Sequence, residues 1–261
     1  MDLNVLICGL GGQGGVFLGS FLRNYFLNQY PKAIILGTES RGVSQREGSV
    51  IATVRIQTNH EPQYIFSPEI PPMSADIVLA LEPLELLRNF HVVHKHTIIV
   101  TNNEPVLPKS SVKGMFQNTN DEESINVTPY SKPEWVIAKI VSLMEKIPDE
   151  FDRRPILIQK NLTDTQKQPE IHLNSFSKHE RIHDLNFYSL VLEQLEESKS
   201  LNFVMLGYVS TISEKILDFL LLQSYIKEFF KDNKPVRQKN VSALNYGKKL
   251  AEMRTKLEIS P

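Results

Sequence analysis

The chain has 261 residues, 41% hydrophobic and 23% charged, with a formal net charge of -1 at pH 7. That length supplies a substantial core for one domain or two small ones, and the near-zero charge argues against a nucleic-acid partner. No apolar stretch approaches the roughly 20 residues needed to span a bilayer, and M-D-L-N-V-L-I-C-G-L carries no positive region before its apolar run; no membrane association and a cytoplasmic location are expected. A single cysteine, Cys8, excludes internal disulfides and cannot alone hold an iron-sulfur cluster, which takes four thiolates, so any redox centre must lie on a partner.

Leu3 to Cys8 is a short apolar run rich in strand formers, and it empties into G9-L-G-G-Q-G-G15. Apolar residues at Val16, Phe17, Phe21, Leu22, Tyr25 and Phe26 then predict a helix over 16–30. Strand, glycine turn and helix begin a Rossmann-like unit. Gly9, Gly11 and Gly14 fit G-x-G-x-x-G, and with Gly12 and Gln13 they form a candidate cofactor cradle, in which backbone N–H groups at a helix N-terminus hold a pyrophosphate. The alternative is a turn whose glycines only let helix and strand pack closely. Ala33 to Leu36 reads as a second strand, and Glu39 follows at about the distance where such folds place a ribose-binding acid.

The stretch from Gly37 to Arg55, G-T-E-S-R-G-V-S-Q-R-E-G-S-V-I-A-T-V-R, places Glu39, Arg41, Gln45, Arg46 and Glu47 in a loop punctuated by Gly37, Gly42 and Gly48. Glycines allow backbone conformations closed to other residues, so both guanidinium groups and the Gln45 amide can turn toward one small volume. Such a loop suits a carboxylate or phosphate. In the alternative, its arginines and glutamates pair with each other in solvent. Ser49 to Ile56 alternates as a half-exposed strand does, and Gln63 to Phe66 is expected to pair with it as a hairpin.

Ile77 to Ala80 predicts another strand. Glu82-Pro83 opens a helix, because proline fits the first turn and an acid is favoured beside the helix dipole. Thr97 to Val100 and Ile125 to Thr128 read as further strands, followed by a helix around Trp135. From about 145 to 199 prolines, charges and amides dominate, with a helix predicted over Phe187 to Leu195 and helices over Phe203 to Phe230 and Val241 to Met253. His179-Glu180-Arg181-Ile182-His183 matches H-E-x-x-H, but Arg181 and the following Asp184 favour a solvated helix over a zinc site. His91, His94 and His96 straddle a predicted helix-strand break, and surface histidines are expected there too. The sum is an α/β class: a three-layer Rossmann-like domain with a mixed, mainly parallel sheet and C-terminal helices.

The paired motifs G9-L-G-G-Q-G14 and G37-T-E-S-R-G-V-S-Q-R-E-G-S49, with the strand V50-I-A-T-V-R-I56, resemble the gamma-type domain of the 2-oxoacid:ferredoxin oxidoreductases, and most of all the indolepyruvate ferredoxin oxidoreductase beta subunits. A75-D-I-V-L-A-L-E-P-L-E-L-L-R88, N202-F-V-M-L-G207 and N240-V-S-A-L-N-Y-G247 are similar to later family segments, and the resemblance covers roughly residues 1–140 and 200–255. It implies one gamma-type catalytic domain over 1–261, with an insertion at about 145–199. It implies further an accessory subunit of an enzyme that decarboxylates a 2-oxoacid, such as indolepyruvate or another aryl pyruvate, to an acyl-CoA, carbon dioxide and reduced ferredoxin. Thiamine diphosphate, magnesium and 4Fe-4S clusters would sit on a large alpha subunit, with coenzyme A as substrate and ferredoxin engaged through the complex. This chain would then supply neither a catalytic residue nor a metal site. The glycine turn would be a backbone cradle, and Glu39, Arg41, Gly42, Gln45, Arg46, Gly48 and Ser49 would contact substrate or coenzyme A, or the partner subunit. Two other readings stay open: a nicotinamide-dependent dehydrogenase with Glu39 on a ribose, and a non-catalytic regulatory protein.

Overall fold

A computed structural model describes residues 2–42, 48–58, 67–106, 132–148, 180–196, 198–213 and 216–259. Gln45 and Arg46 of the candidate loop, the expected strands at Gln63 to Phe66 and Ile125 to Thr128, and His179 lie outside these residues. The chain divides into two compact units, residues 1–147 with 177–188, and residues 148–176 with 189–261.

The first unit is built on a seven-stranded sheet. Its strands are β1 (Asp2–Leu10), β2 (Ile34–Leu36), β3 (Glu39–Arg41), β4 (Ser49–Gln57), β5 (Ala75–Ala80), β6 (Val93–Asn102) and β7 (Ile182–Leu185). The order is β2-β4-β1-β5-β6-β7, with β3 also on β4. β1, β5, β6 and β7 pair in parallel, whereas β4 runs antiparallel to β1 and to both β2 and β3. One reversed strand therefore makes an otherwise unidirectional sheet mixed. The expected Rossmann-like start is present, but β4 occupies the place beside β1 where a dinucleotide-binding fold puts its second parallel strand.

β1 is buried on both faces, the pattern of a parallel-sheet strand covered by helices. Ile7 lies against Gly15 and Gly19 of α1 (Gly15–Gln29), where a Cβ on Gly19 would come within 2.8 Å of the Ala52 Cβ. Leu6, Cys8, Val78 and Ile99 instead join a cluster with Leu86 of α2 (Pro83–Arg88) and with Val136 and Ile140 of α3 (Pro133–Glu145). Alternating side chains thus feed two cores, giving three layers. Pro83 and Pro133 stand in the first turns of their helices, as their fixed φ and missing N–H favour.

Two expectations are corrected in the segment taken for an insertion. Ile182 to Leu185 is a strand of the sheet, with Ile99 opposite Ile182 and Asn102 opposite Leu185. Its residues are core: Ile182 and the following Phe187 are fully buried. For the same reason H-E-x-x-H is no helical motif, since Ile182 and His183 lie in β7 with His183 opposite Val100. Four residues are too few for periodicity to announce a strand, and its burial comes from the neighbouring β6. The helix expected at Phe187 to Leu195 is found as α4.

The second unit is helical, with a 3-10 turn at Ser198–Ser200 and helices α5 (Leu201–Ile212), α6 (Phe219–Phe229) and α7 (Lys234–Ile259). The single helix expected over Phe203 to Phe230 is two. α5 closes at Ser213, and Asp218 starts α6 by accepting the Leu221 N–H at 2.8 Å, an N-cap that frees the chain from continuing the first helix. α5 is buried from Leu201 through Ser210 and lies across α7 at a pair of glycines. A Cβ on Gly207 would stand 2.0 Å from the Leu244 carbonyl oxygen, and one on Gly247 1.9 Å from that of Val204. No larger residue permits this approach.

Candidate functional site

The glycine turn and the arginine-bearing loop meet at the carboxyl end of β1. Sheet register sets the first contact, placing Gly9 opposite Val50, Leu10 opposite Ser49, and Arg41 opposite Val50 on the other side of β4. Backbone hydrogen bonds complete it: the Gly11 N–H donates to the Gly48 carbonyl at 2.8 Å, and the Gly42 N–H to that of Ser49 at 2.7 Å. Gly48 is therefore held directly against the turn, and Gly42 against Ser49.

Within the turn, Gly12 and Gly14 have φ of 98° and 83°, left-handed values that favour glycine. The Gln13 side chain folds back under it. Its Oε1 accepts the Leu10 N–H at 2.7 Å and would lie 2.6 Å from a Cβ on Gly9, so Gly9 makes room for Gln13. The Gln13 N–H donates to the Leu10 carbonyl at 3.1 Å. The N–H groups of Leu10, Gly11 and Gln13 are thus engaged inside the protein.

Glu39 is likewise committed. Its Oε1 accepts from Arg23 Nη2 at 2.7 Å and from Ser20 Oγ at 3.1 Å, and Arg41 Nη2 stands 3.8 Å from Oε2. A carboxylate held this way, on a strand not adjacent to β1, does not stand where a ribose-binding acid would. Arg41 itself is two-thirds exposed, and an exposed pair at that distance constrains it little.

Beneath the loop base lies a pair of buried acids. Glu82, which follows β5, caps α2 by accepting the Glu85 N–H on Oε2 at 2.7 Å, and accepts the Val106 N–H on Oε1 at 3.1 Å. Burial pushes its carboxyl up to about 7; the hydrogen bonds from Glu85 and Val106 oppose the rise, and the Glu85 charge adds to it. The Glu85 side chain accepts from Ser49 Oγ at 2.6 Å and also from Arg88 Nη1. Cys8 sits below, fully buried, its thiol raised by burial and then by the charges of Glu85 and Glu82. A thiol so placed is a core group, and the described residues do not fit an iron-sulfur cluster.

Sequence reasoning noted Glu82 only as a helix-opening acid and passed over Glu85, whose partner Ser49 is 36 residues away. The available signal was an acid at each end of Glu82-Pro83-Leu84-Glu85, inside an otherwise apolar strand-to-helix junction. Of the histidines, His94 is buried and its Nδ1 accepts the His96 N–H at 3.1 Å, a local backbone contact and not the surface position expected. No group of three His, Cys, Asp or Glu suited to a metal ion occurs among the described residues, and none of their helices is long and apolar enough to cross a membrane.

Known proteins resemble the chain in sequence and in fold. The indolepyruvate oxidoreductase subunit IorB of Archaeoglobus fulgidus is 31% identical over 133 residues, covering 49% of this chain and 62% of that protein. The IorB of Pyrococcus horikoshii is 32% identical over 122 residues, 47% of this chain and 57% of its own length. The matched region thus spans about three fifths of these curated relatives. In fold, the chain is similar to the pyruvate oxidoreductase subunit PORC of Thermotoga maritima, with TM-score 0.53, 13% identity and 94% of each chain covered. It is also similar to the 2-oxoglutarate:ferredoxin oxidoreductase of Magnetococcus marinus, solved with 2-oxoglutarate, coenzyme A and succinyl-CoA bound, with TM-score 0.55, 14% identity, and 97% of this chain but 31% of that one covered. A family model described as pyruvate ferredoxin/flavodoxin oxidoreductase matches residues 4–250, across both compact units, and the chain belongs to that family.

Proposed function

We propose that this protein is the accessory, gamma-type subunit of a thiamine diphosphate-dependent 2-oxoacid:ferredoxin oxidoreductase acting on indolepyruvate or another aryl pyruvate, in the cytoplasm. The observation that carries the reading is the junction of the glycine turn with the arginine loop, in a chain whose family match runs 4–250. That span also supports treating 1–261 as one gamma-type domain, with any extra sequence of the 145–199 segment lying outside β7, which belongs to the sheet. The large alpha subunit supplies thiamine diphosphate, magnesium and the 4Fe-4S clusters, and ferredoxin is reached through the complex.

What this chain contributes is recognition. Arg41 ends β3 at the start of the loop, with Gln45 and Arg46 following in the sequence. Planar guanidinium groups there suit the carboxylate of the oxoacid or the phosphates of coenzyme A. The same residues are the alternative docking contact for the large subunit. Of the turn, Gly12 and Gly14 keep the chain within reach of a ligand, while Gly9 and Gln13 shape it from inside. A dinucleotide role is disfavoured by the engaged donors of the turn and by the Arg23–Glu39 pair.

Co-expression with a large partner subunit tests the assignment. The complex is expected to reduce ferredoxin only with an aryl pyruvate and coenzyme A together, and the chain alone to show no turnover. Turnover by the isolated polypeptide with added thiamine diphosphate, or absence of any iron-containing partner on co-purification from the native host, would refute it. Losing one charge-assisted contact in Arg41→Ala or Arg46→Ala should raise the KM of the bound anion roughly ten- to hundredfold if the ligand role holds. A weakened complex with ordinary kinetics would assign these residues to docking.

A further inference from the structure

Glu85 has no part in the family resemblance beyond its place in a helix, yet it is almost completely buried and reaches across the sheet to another element. Its carboxylate accepts Ser49 Oγ–H at 2.6 Å, and Arg88 of the same helix holds it from the other side. Ser49 is the first residue of β4, and its carbonyl accepts the Gly42 N–H while the neighbouring Gly48 carbonyl accepts the Gly11 N–H. One short hydrogen bond therefore ties α2 to the point where the arginine loop rejoins the sheet and touches the glycine turn. A charge-assisted bond in a buried setting is stronger than a neutral one at the surface.

We infer that Glu85 is a positioning residue: through Ser49 it fixes the base of the Gly42–Ser49 loop against the glycine turn, and so orients Arg41 for the anion. The orienting half rests on the recognition role proposed above; the anchoring half does not. Glu82 supports the device by capping α2 at the Glu85 N–H, which sets the pitch at which the Glu85 side chain leaves the helix.

The test has two arms. In the isolated chain, amide hydrogen exchange at Gly11 and Gly42 reads the anchor directly. Ser49→Ala and Glu85→Ala should speed exchange at both by about tenfold, the factor expected from one lost hydrogen bond to a charged group, with amides in the middle of β1 and β5 unchanged. Glu85→Gln keeps an oxygen for the Ser49 hydroxyl and should restore slow exchange. Ser49→Ala removes one oxygen atom, so it carries the test if Glu85→Ala does not fold. In the reconstituted complex, with phenylpyruvate and coenzyme A as probes, Ser49→Ala should raise the KM of the ligand sensitive to Arg41→Ala and leave kcat near its original value.

Unchanged exchange at Gly11 and Gly42 in Ser49→Ala overturns the anchor. Faster exchange with an unchanged KM, where Arg41→Ala does raise KM, overturns the orienting role. If Arg41→Ala itself changes neither assembly nor KM, the recognition reading fails, and exchange alone still decides whether Glu85 holds the loop.

Discussion

Gly12 of the sheet unit and the crossing glycines of the helical unit are required for opposite reasons. In the sheet unit Gly12 needs its φ of 98°, but a Cβ placed on it would meet nothing within 4 Å. In the helical unit Gly207 and Gly247 have ordinary helical backbones, and what they lack is room: each would drive a Cβ to about van der Waals overlap with a carbonyl oxygen of the opposing helix. The first kind of glycine makes a turn at the carboxyl end of β1, and the second makes a helix crossing. The buried charged residues differ in sign as well. The sheet unit buries Glu82 and Glu85 beneath its loops, whereas the helical unit buries Arg254.

The strongest way to break the comparison is at the crossing. Gly247→Ala is expected to cost about 3 kcal/mol or more, because backbone faces backbone and no side chain can rotate away. Far-UV ellipticity during thermal denaturation measures the loss. Trp135, the single tryptophan, lies in α3 of the sheet unit, so its fluorescence tells whether that unit follows. A variant as stable as the original protein would show that the helices part without cost.

Next in size is a pH effect confined to the sheet unit. Glu82 holds its proton to about pH 7 in the folded state against 4.5 for the free group, so between those values the folded chain binds more protons than the unfolded one. Stability must then fall as pH rises through that window, by roughly 3 kcal/mol at most. The groups around Glu82 sharpen the assignment: Glu85 on α2, its counter-ion Arg88, and Cys8 on β1, whose thiol is raised out of the range. Glu82→Gln is expected to flatten the dependence between pH 5 and 7 in urea titrations. An unchanged slope would place the proton elsewhere.

Smaller still is Gly12→Ala. With open space around the new methyl, only the left-handed backbone is penalised, about 1 kcal/mol. If it proves as damaging as Gly247→Ala, the division of the glycines into two kinds fails. Arg41→Ala should move the unfolding midpoint hardly at all, since its ion pair is long and exposed, so any effect it has on the complex is one of binding.

Local signals in the sequence determined the strand-turn-helix start, the proline-opened helices, the helix from Phe187, and the two glycine-rich motifs that mark the family. Each is a short-range pattern: an apolar run, a helical period, a residue whose backbone freedom is its own. They also singled out the two stretches that the fold brings together at the carboxyl end of β1. Only the tertiary structure decided that β4 lies between β1 and β2, that Ile182 to Leu185 completes the sheet, and that Glu39 is held by Arg23. It alone joined Ser49 to Glu85. These depend on partners far away in the chain: a four-residue strand has too little pattern to declare itself, and the buried carboxylates of Glu82 and Glu85 are met by the Val106 amide and the Ser49 hydroxyl, which arrive from other parts of the chain.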